Sequence, residues 1–424
     1  MVSNMKPVGS KIQSIRTKLV LLLALVPLLV LPQAKAQTLG FEIMGGRSRI
    51  DIPFEDHNNL IVIPVVLNKS IPLKFVVDTG VRTAILTEKT YTDMLQVPYK
   101  RKLTMVGADG VKSVEAYVAN NITLELPGVV GTGQTLLVLE EDYLLLNRSL
   151  GADVHGILGY ELFSRFVVKI NYERKIITLY EPGRYRKPRS YQAVPITIED
   201  TKPYIFTDIT LEDSTTLEAK LMIDTGASHP LLFNLGADAR LRLPQTSLPS
   251  NLGRSLGGNI DGHLGRINTL RMAPFSFNDI ISSFAEEKNY VKAFKVTGRH
   301  GTLGGGITNR FTIVFDYFRQ QIYLKKNHRY RWAFEYNMSG IDLIAGGPKY
   351  DKILVKEVAE GSVGHKAGVL PGDEVILVNG NLTHLMSIKQ VNALFRQKNN
   401  KVIRMKVRRN GVIKRFKFHL KRIL

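Results

Sequence analysis

Cysteine is absent from all 424 residues. Its absence excludes disulfides, cysteine-ligated zinc and iron–sulfur centres, thiol nucleophiles and anchoring through a lipid-modified cysteine. Long apolar runs are scarce too. After residue 31 none is free enough of charge to cross a bilayer, which takes roughly 18–20 apolar residues. The nine histidines include no His-Glu-x-x-His, so a zinc-peptidase helix is missing. Residues 128–135 imitate a phosphate loop, but Gln134 stands where lysine is required and an apolar, strand-like run follows. Ser228 lies in Gly-Ala-Ser-His-Pro and not in a nucleophile elbow. Strands alternating with sizeable helices, the pattern of a dinucleotide fold, are also missing. No metal or cofactor is expected. A composition 44% hydrophobic and 22% charged excludes a largely disordered chain.

What is present begins with a leader. Lys6, Lys11, Arg16 and Lys18 precede a 13-residue apolar run at 19–31, and Ala34-Lys35-Ala36 offers a small-residue cleavage site. This is the order of a secretory signal peptide over 1–36; the run is too short for a retained anchor and is broken by Pro27. A large exported chain without cysteine fits a bacterial envelope, periplasmic or extracellular, better than a disulfide-forming secretory pathway. The leader holds five of the 58 basic residues and no acid, leaving 53 against 37. Residues 335–424 carry 17 Lys and Arg against 7 Asp and Glu. Within 401–418, charge alternates with apolar residues around Asn410-Gly411, as in a hairpin with one buried face. The basic excess therefore reads as a solvated face, and no nucleic-acid reader motif accompanies it.

The middle of the chain repeats itself. Asp78-Thr79-Gly80 and Asp224-Thr225-Gly226 each sit between two apolar, strand-like runs. Downstream, His155-Gly-Ile-Leu-Gly159 matches His300-Gly-Thr-Leu-Gly304, and Arg165-Phe166 matches Arg310-Phe311. Asp78 precedes His155 by 77 residues and Asp224 precedes His300 by 76, so a domain-sized unit of about 145 residues is duplicated. Both copies are mostly β: short Val, Ile, Leu and Tyr runs at 60–67, 122–126, 167–179 and 311–324 alternate with Gly, Pro and Asn. Helical spacing is confined to pieces near 87–95 and 280–294. The basic stretch 184–190, with Pro188, reads as the connection between copies.

One Asp-Thr-Gly arises by chance in roughly one chain of this length in twenty, at about 5% usage per residue. Two at equivalent repeat positions do not. Amide hydrolysis without metal or covalent intermediate needs one carboxylate as base for water and one carboxylic acid to hydrogen-bond the scissile carbonyl. Carboxylates about 3 Å apart cannot both ionise, so such a pair shares a proton. Gly80 and Gly226 let two loops approach without Cβ clashes, and Thr79 and Thr225 are placed to hydrogen-bond across the pair.

Over about 37–330 the sequence resembles aspartic proteases of pepsin and retropepsin type, from which the shared-proton logic is borrowed. The resemblance implies a mainly β, bilobal, double β-barrel fold, with lobes at 37–190 and 191–333. It implies Asp78 and Asp224 as the catalytic pair, supported by Thr79, Gly80, Thr225 and Gly226. The segments 157–159 and, less fully, 302–304 then form a ψ-shaped loop under each aspartate. A hairpin over the cleft is expected at 104–114, with Gly107, Asp109 and Gly110 at its tip, and 254–264 occupies the matching place in the second lobe. Val81 and Arg82 depart from the small residue and hydroxyl usual after the first Asp-Thr-Gly. Arg82 either depresses a carboxylate pKa or points into a surface pair. Val81 and Ala227 lack the hydroxyls that pepsins place beside their aspartates, which predicts a pH optimum nearer neutral. His155 and His300 sit in repeat turns and read as structural.

After Trp332 the pattern changes. Residues 360–380 resemble the core signature of PDZ domains: an Ala-Gly turn, Gly-Asp, an apolar strand and Asn-Gly. The resemblance spans 334–424. It implies a helix at 387–397 lining a peptide groove, a carboxylate-binding loop at Ser339, Gly340 and Ile341, and a peptide-pairing strand through Leu343. The functional expectation is an exported aspartic endopeptidase acting on polypeptides, its PDZ module binding a C-terminal or extended peptide, with no nucleic-acid partner and no membrane span after leader cleavage. The alternatives are a peptide-binding scaffold with an impaired dyad, and a homodimer that pairs each lobe with its copy.

Overall fold

A computed structural model of the chain describes residues 39–106, 113–256, 258–286 and 297–424. The expected leader and the hairpin-tip residues Gly107, Asp109 and Gly110 lie outside these. Among the described residues, no helix is long and apolar enough to cross a membrane.

The apolar runs of the first copy fold into a nine-stranded sheet and those of the second into an eight-stranded one. Leu60–Leu67 pairs antiparallel with Ile71–Val77, whose last residue precedes Asp78. Gly156–Leu158 runs parallel to Ile71–Val77 and antiparallel to Ile85–Leu86, so it lies between the strands entering and leaving the Asp78 turn. The second copy repeats this: Gly301–Leu303 lies parallel to Thr216–Ile223 and antiparallel to Leu231–Asn234. Both ψ-shaped arrangements form because short, fully buried segments, Gly-Ile-Leu in one copy and Gly-Thr-Leu in the other, pair with strands on both sides.

A third sheet joins the copies. Its six strands run Gln192–Pro195, Gln321–Lys326, Phe311–Asp316, Val167–Asn171, Ile176–Tyr180, Arg49–Pro53. At its centre Val167–Asn171 pairs antiparallel with Phe311–Asp316, and Lys169 lies opposite Val314. These two residues are 145 positions apart, the repeat offset, so a pseudo-two-fold axis passes between them. The individual runs announced strands; nothing in them announced that the two copies would share a sheet.

The helix expected near 87–95 is present as Thr90–Met94. The one expected from 280 is not. Ile280 to Ala285 complete the strand Phe275–Ala285, which pairs with Gly258–Met272 and runs parallel to Leu231–Asn234. Two partner strands outweigh a weak helical spacing in a segment whose Ile280, Ile281 and Phe284 also suit a strand.

The C-terminal unit has five strands in sequence through the sheet, beginning with the edge strand Ile341–Gly346. The hairpin Val402–Arg409 and Val412–His419 turns at Asn410 and Gly411, both with positive φ. Ile403, Met405 and Val407 face the core, while Val412 and Ile413 at the tip are exposed. Ser387 and Gln390 form a capping box that starts the helix Ile388–Phe395. That helix buries Ile388, Val391 and Phe395.

Candidate active site

Each aspartate is placed by the same local wiring. The Asp78 N–H donates to the Leu158 carbonyl at 2.9 Å, and the Asp224 N–H to the Leu303 carbonyl at 2.9 Å. The turns then fold back, with Gly80 N–H donating to Asp78 Oδ1 at 2.6 Å and Gly226 N–H to Asp224 Oδ1 at 2.8 Å. Between the turns lies a reciprocal set of four bonds. Thr79 Oγ1 donates to the Ile223 carbonyl at 2.7 Å and accepts the Thr225 N–H at 3.1 Å. Thr225 Oγ1 donates to the Val77 carbonyl at 2.8 Å and accepts the Thr79 N–H at 3.1 Å. Both threonines are buried, where an unmatched hydroxyl or amide is costly.

This wiring brings the carboxyls together, hydrogen-bonded to each other. A methyl group on Gly80 would stand 3.0 Å from Asp78 Oδ1 and 3.3 Å from Asp224 Oδ2; one on Gly226 would overlap the Asp78 carboxyl outright. Close approach therefore demands glycine at both positions. Asp78 and Asp224 both keep partial solvent access.

Burial and the adjacent Asp224 charge hold the Asp78 carboxyl well above the usual carboxylate range. Burial also raises Asp224, but the hydrogen bond from Asp78, the Gly226 N–H and the Arg299 guanidinium oppose the rise. Arg299 has no cationic counterpart in the first copy, where Val154 occupies the equivalent position. After the hydrogen bonds from Asp78 and Gly226, the Arg299 charge is a further influence lowering Asp224 against the effect of burial. Arg82 points elsewhere: its guanidinium meets Asp200 Oδ1 at 3.1 Å in an exposed pair between the copies. Of the two roles open to Arg82 from sequence, the surface pair is the one found.

Other residues singled out from sequence have structural roles. His155 Nδ1 accepts the Lys74 N–H at 3.1 Å and His300 Nδ1 accepts the Lys220 N–H at 3.0 Å, each closing the turn beside its strand. The first hairpin pairs Tyr99–Val106 with Ser113–Leu126 as far as Val106 and Ser113. In the second copy, Ser247–Ser255 pairs with Gly258–Met272, and Arg254 Nε reaches the Tyr143 carbonyl of the first copy at 2.6 Å.

The loop expected to take a peptide carboxylate differs from expectation. Ile341 N–H already donates to Ser339 Oγ at 3.1 Å, and Ser339 donates through both N–H and Oγ to Asn337 Oδ1, at 3.0 and 2.6 Å. Ser339 is fully buried. Ser339 Oγ thus occupies the Ile341 N–H, one of the donors expected to meet a carboxylate, and Asn337 holds Ser339 in place. Gly340 keeps a left-handed φ of 70°, and Leu343 is buried on the edge strand.

Sequence reasoning missed Glu161. Its carboxylate accepts the Ala84 N–H at 2.6 Å and the Gly159 N–H at 3.4 Å, bracing the strand that leaves the Asp78 turn. In the second copy Gly306 stands for Glu161 and Pro230, which has no N–H, stands for Ala84. The paired exchange was readable by aligning the two copies. Asn59 was missed as well: its Nδ2 donates to the Ser228 carbonyl at 2.9 Å, and no motif marks it.

Comparison with known proteins agrees with this architecture. A family model described as aspartyl protease matches residues 63–162 and again 207–305, one match to each copy. A PDZ-domain model matches residues 354–409. No curated protein matches the chain. The chain is thus similar to aspartyl proteases once in each copy, and to PDZ domains in its C-terminal unit.

Proposed function

We propose that the protein is an aspartic endopeptidase, exported to a bacterial envelope, that hydrolyses polypeptides with Asp78 and Asp224 acting on one water. The hydrogen-bonded carboxyl pair, wired symmetrically by Thr79 and Thr225, carries this reading. Asp224, the member facing the Arg299 charge, serves as the base that takes a proton from water. Asp78 holds the shared proton and hydrogen-bonds the scissile carbonyl, stabilising the oxyanion as the tetrahedral intermediate forms. Collapse then needs a proton on the leaving amine, which the newly protonated Asp224 supplies. Neither metal nor covalent intermediate enters this sequence, and the proton count closes with one proton again on the pair.

Polypeptide is the substrate class that the paired carboxyls and the similarity to aspartyl proteases support. Export rests on the basic and apolar leader with its Ala34-Lys35-Ala36 site. The test is hydrolysis of an unfolded protein followed from pH 2 to 8, with a hydroxyl-bearing mimic of the tetrahedral intermediate as inhibitor. Cleavage should stop at one inhibitor per chain and its rate should follow a bell-shaped profile. Cleavage that persists with inhibitor bound, or that requires a metal ion, contradicts the reading.

A further inference from the structure

The walls of a PDZ peptide groove are an edge strand and the helix facing it. Here they are Ile341–Gly346 and Ile388–Phe395. A groove awaiting a peptide exposes apolar side chains along both walls. In this chain Ile341, Leu343, Ala345, Ile388 and Val391 are each less than a tenth exposed. The first lobe packs against this face at Ala345 and Ile388. Its short helix Leu146–Leu150 packs along the edge strand and ends at Gly151, which has a φ of 63°. A methyl group on Gly151 would lie 3.2 Å from Ile388 Cδ1 and 3.6 Å from Ala345 Cβ, touching both walls at once.

A polar contact fastens the same helix to the lobe. Lys389 Nζ lies 2.7 Å from Asp56 Oδ2, and the Asp56 side chain is only 2% exposed, with Arg329 3.5 Å away. From Asp56 the hydrogen bonds continue toward the dyad. Asp56 Oδ1 accepts the Asn59 N–H at 3.1 Å, and Asn59 Nδ2 donates to the carbonyl of Ser228, four residues beyond Asp224. Asn309 Nδ2 fixes the other end of the Asn59 amide at 2.7 Å. Three contacts thus separate the groove helix from the loop that carries Asp224. The covering segment has a second attachment: Tyr143, three residues before its helix, accepts the Arg254 bond from the second lobe's hairpin.

We propose that the PDZ groove is latched shut by the protein's own segment 146–151, that a polypeptide terminus enters only by displacing it, and that Asp56 and Asn59 are positioning residues through which the groove helix sets the Asp224 loop. The closure half stands on packing alone. The coupling half rests on the two-aspartate reading above. Lys389 is the place to cut, because its side chain belongs to neither the dyad nor the buried face of the groove helix.

The experiment uses the full mature chain in an Asp224→Asn background for binding and in the otherwise unaltered chain for kinetics. The binding probe is a fluorescent decapeptide library with free carboxylates and apolar final residues, read by anisotropy. Lys389→Met should bind the library at least tenfold more tightly than the parent, and Lys389→Arg should restore the parent value. In kinetics, Lys389→Met and Asn59→Ala should each lower kcat several-fold with KM little changed. Equal peptide affinity in parent and Lys389→Met overturns the latch. Tenfold tighter binding with unaltered kcat overturns the coupling and leaves the closure standing. A parent chain that hydrolyses nothing contradicts the two-aspartate reading, while the anisotropy comparison still decides closure. Hydrogen exchange at 146–151 in Lys389→Met separates release of the segment, seen as faster exchange there alone, from general misfolding.

Discussion

Thr79 and Thr225 hold each other's backbone: each hydroxyl accepts the other's N–H at 3.1 Å while donating to the carbonyl just before the other aspartate. The two aspartates are therefore fixed by bonds between the copies as much as by bonds within either. An intramolecular dyad follows, since both halves of the wiring come from one chain.

Replacing Thr79 with valine removes one acceptor and one donor from that set and orphans the buried Thr225 N–H. Leaving a buried donor unmatched costs about 1–3 kcal/mol, and a urea melt should show a loss of that size. A displacement near 1 Å in reacting groups costs on the order of a hundredfold in rate. Thr79→Val should accordingly lose roughly tenfold to hundredfold in kcat with KM nearly unchanged. Thr225→Val should match it, because the wiring is symmetric. Unequal losses speak against the reciprocal role.

Gly226→Ala puts a methyl group into the Asp78 carboxyl. The turn and both aspartates keep partial solvent access, so the chain should still fold, with an unaltered circular dichroism spectrum, and should hydrolyse nothing measurable. A variant with substantial activity would show that the carboxyls do not approach as described.

Arg299 lowers the Asp224 carboxyl against the rise that burial imposes. Removing the positive charge makes ionisation harder, so the pKa goes up. Arg299→Met should therefore move the acidic limb of kcat/KM to higher pH and leave the alkaline limb closer to its place. A limb that stays put, or moves down, contradicts the assignment of Asp224 as the ionised member.

Stability should register the pair as well. A carboxyl whose folded pKa lies above its unfolded value favours folding only while it stays protonated. That advantage is complete below the unfolded value, near pH 4, and is lost as pH rises through the folded one. Asp78 is raised in this sense, and Asp78→Asn removes the titration. The melting temperature of Asp78→Asn relative to the parent should rise between pH 4 and pH 8. A difference that is constant with pH counts against a raised Asp78.

Much of this was legible in the sequence because the duplication is written locally. Asp78-Thr79-Gly80 and Asp224-Thr225-Gly226, each inside its apolar runs, gave the dyad and the mainly β character, and the Ala-Gly and Gly-Asp signature gave the PDZ unit. What stayed hidden depends on residues far apart in the chain. Val167–Asn171 and Phe311–Asp316 each read as a strand, but pairing across 145 positions leaves no trace in either. Asp56, Asn59 and Lys389 are ordinary polar residues until packing aligns them. Arg82 stood next to the first Asp-Thr-Gly in the sequence and faces Asp200, whereas Arg299, 75 residues past Asp224, supplies the charge that reaches the pair. Ser339 takes the Ile341 N–H, a donor that the spacing alone left open.

The central claim is that two carboxyls act as one device. The most direct measurement compares hydrolysis of an unfolded protein by the parent chain, Asp78→Asn, Asp224→Asn and the double variant at the parent's optimal pH. Residues that act as a unit are non-additive, so each single variant should lose essentially all activity and the double should be no worse than either. A single variant retaining a sizeable fraction of the parent rate, or losses that multiply in the double, would show that Asp78 and Asp224 do not share the reaction.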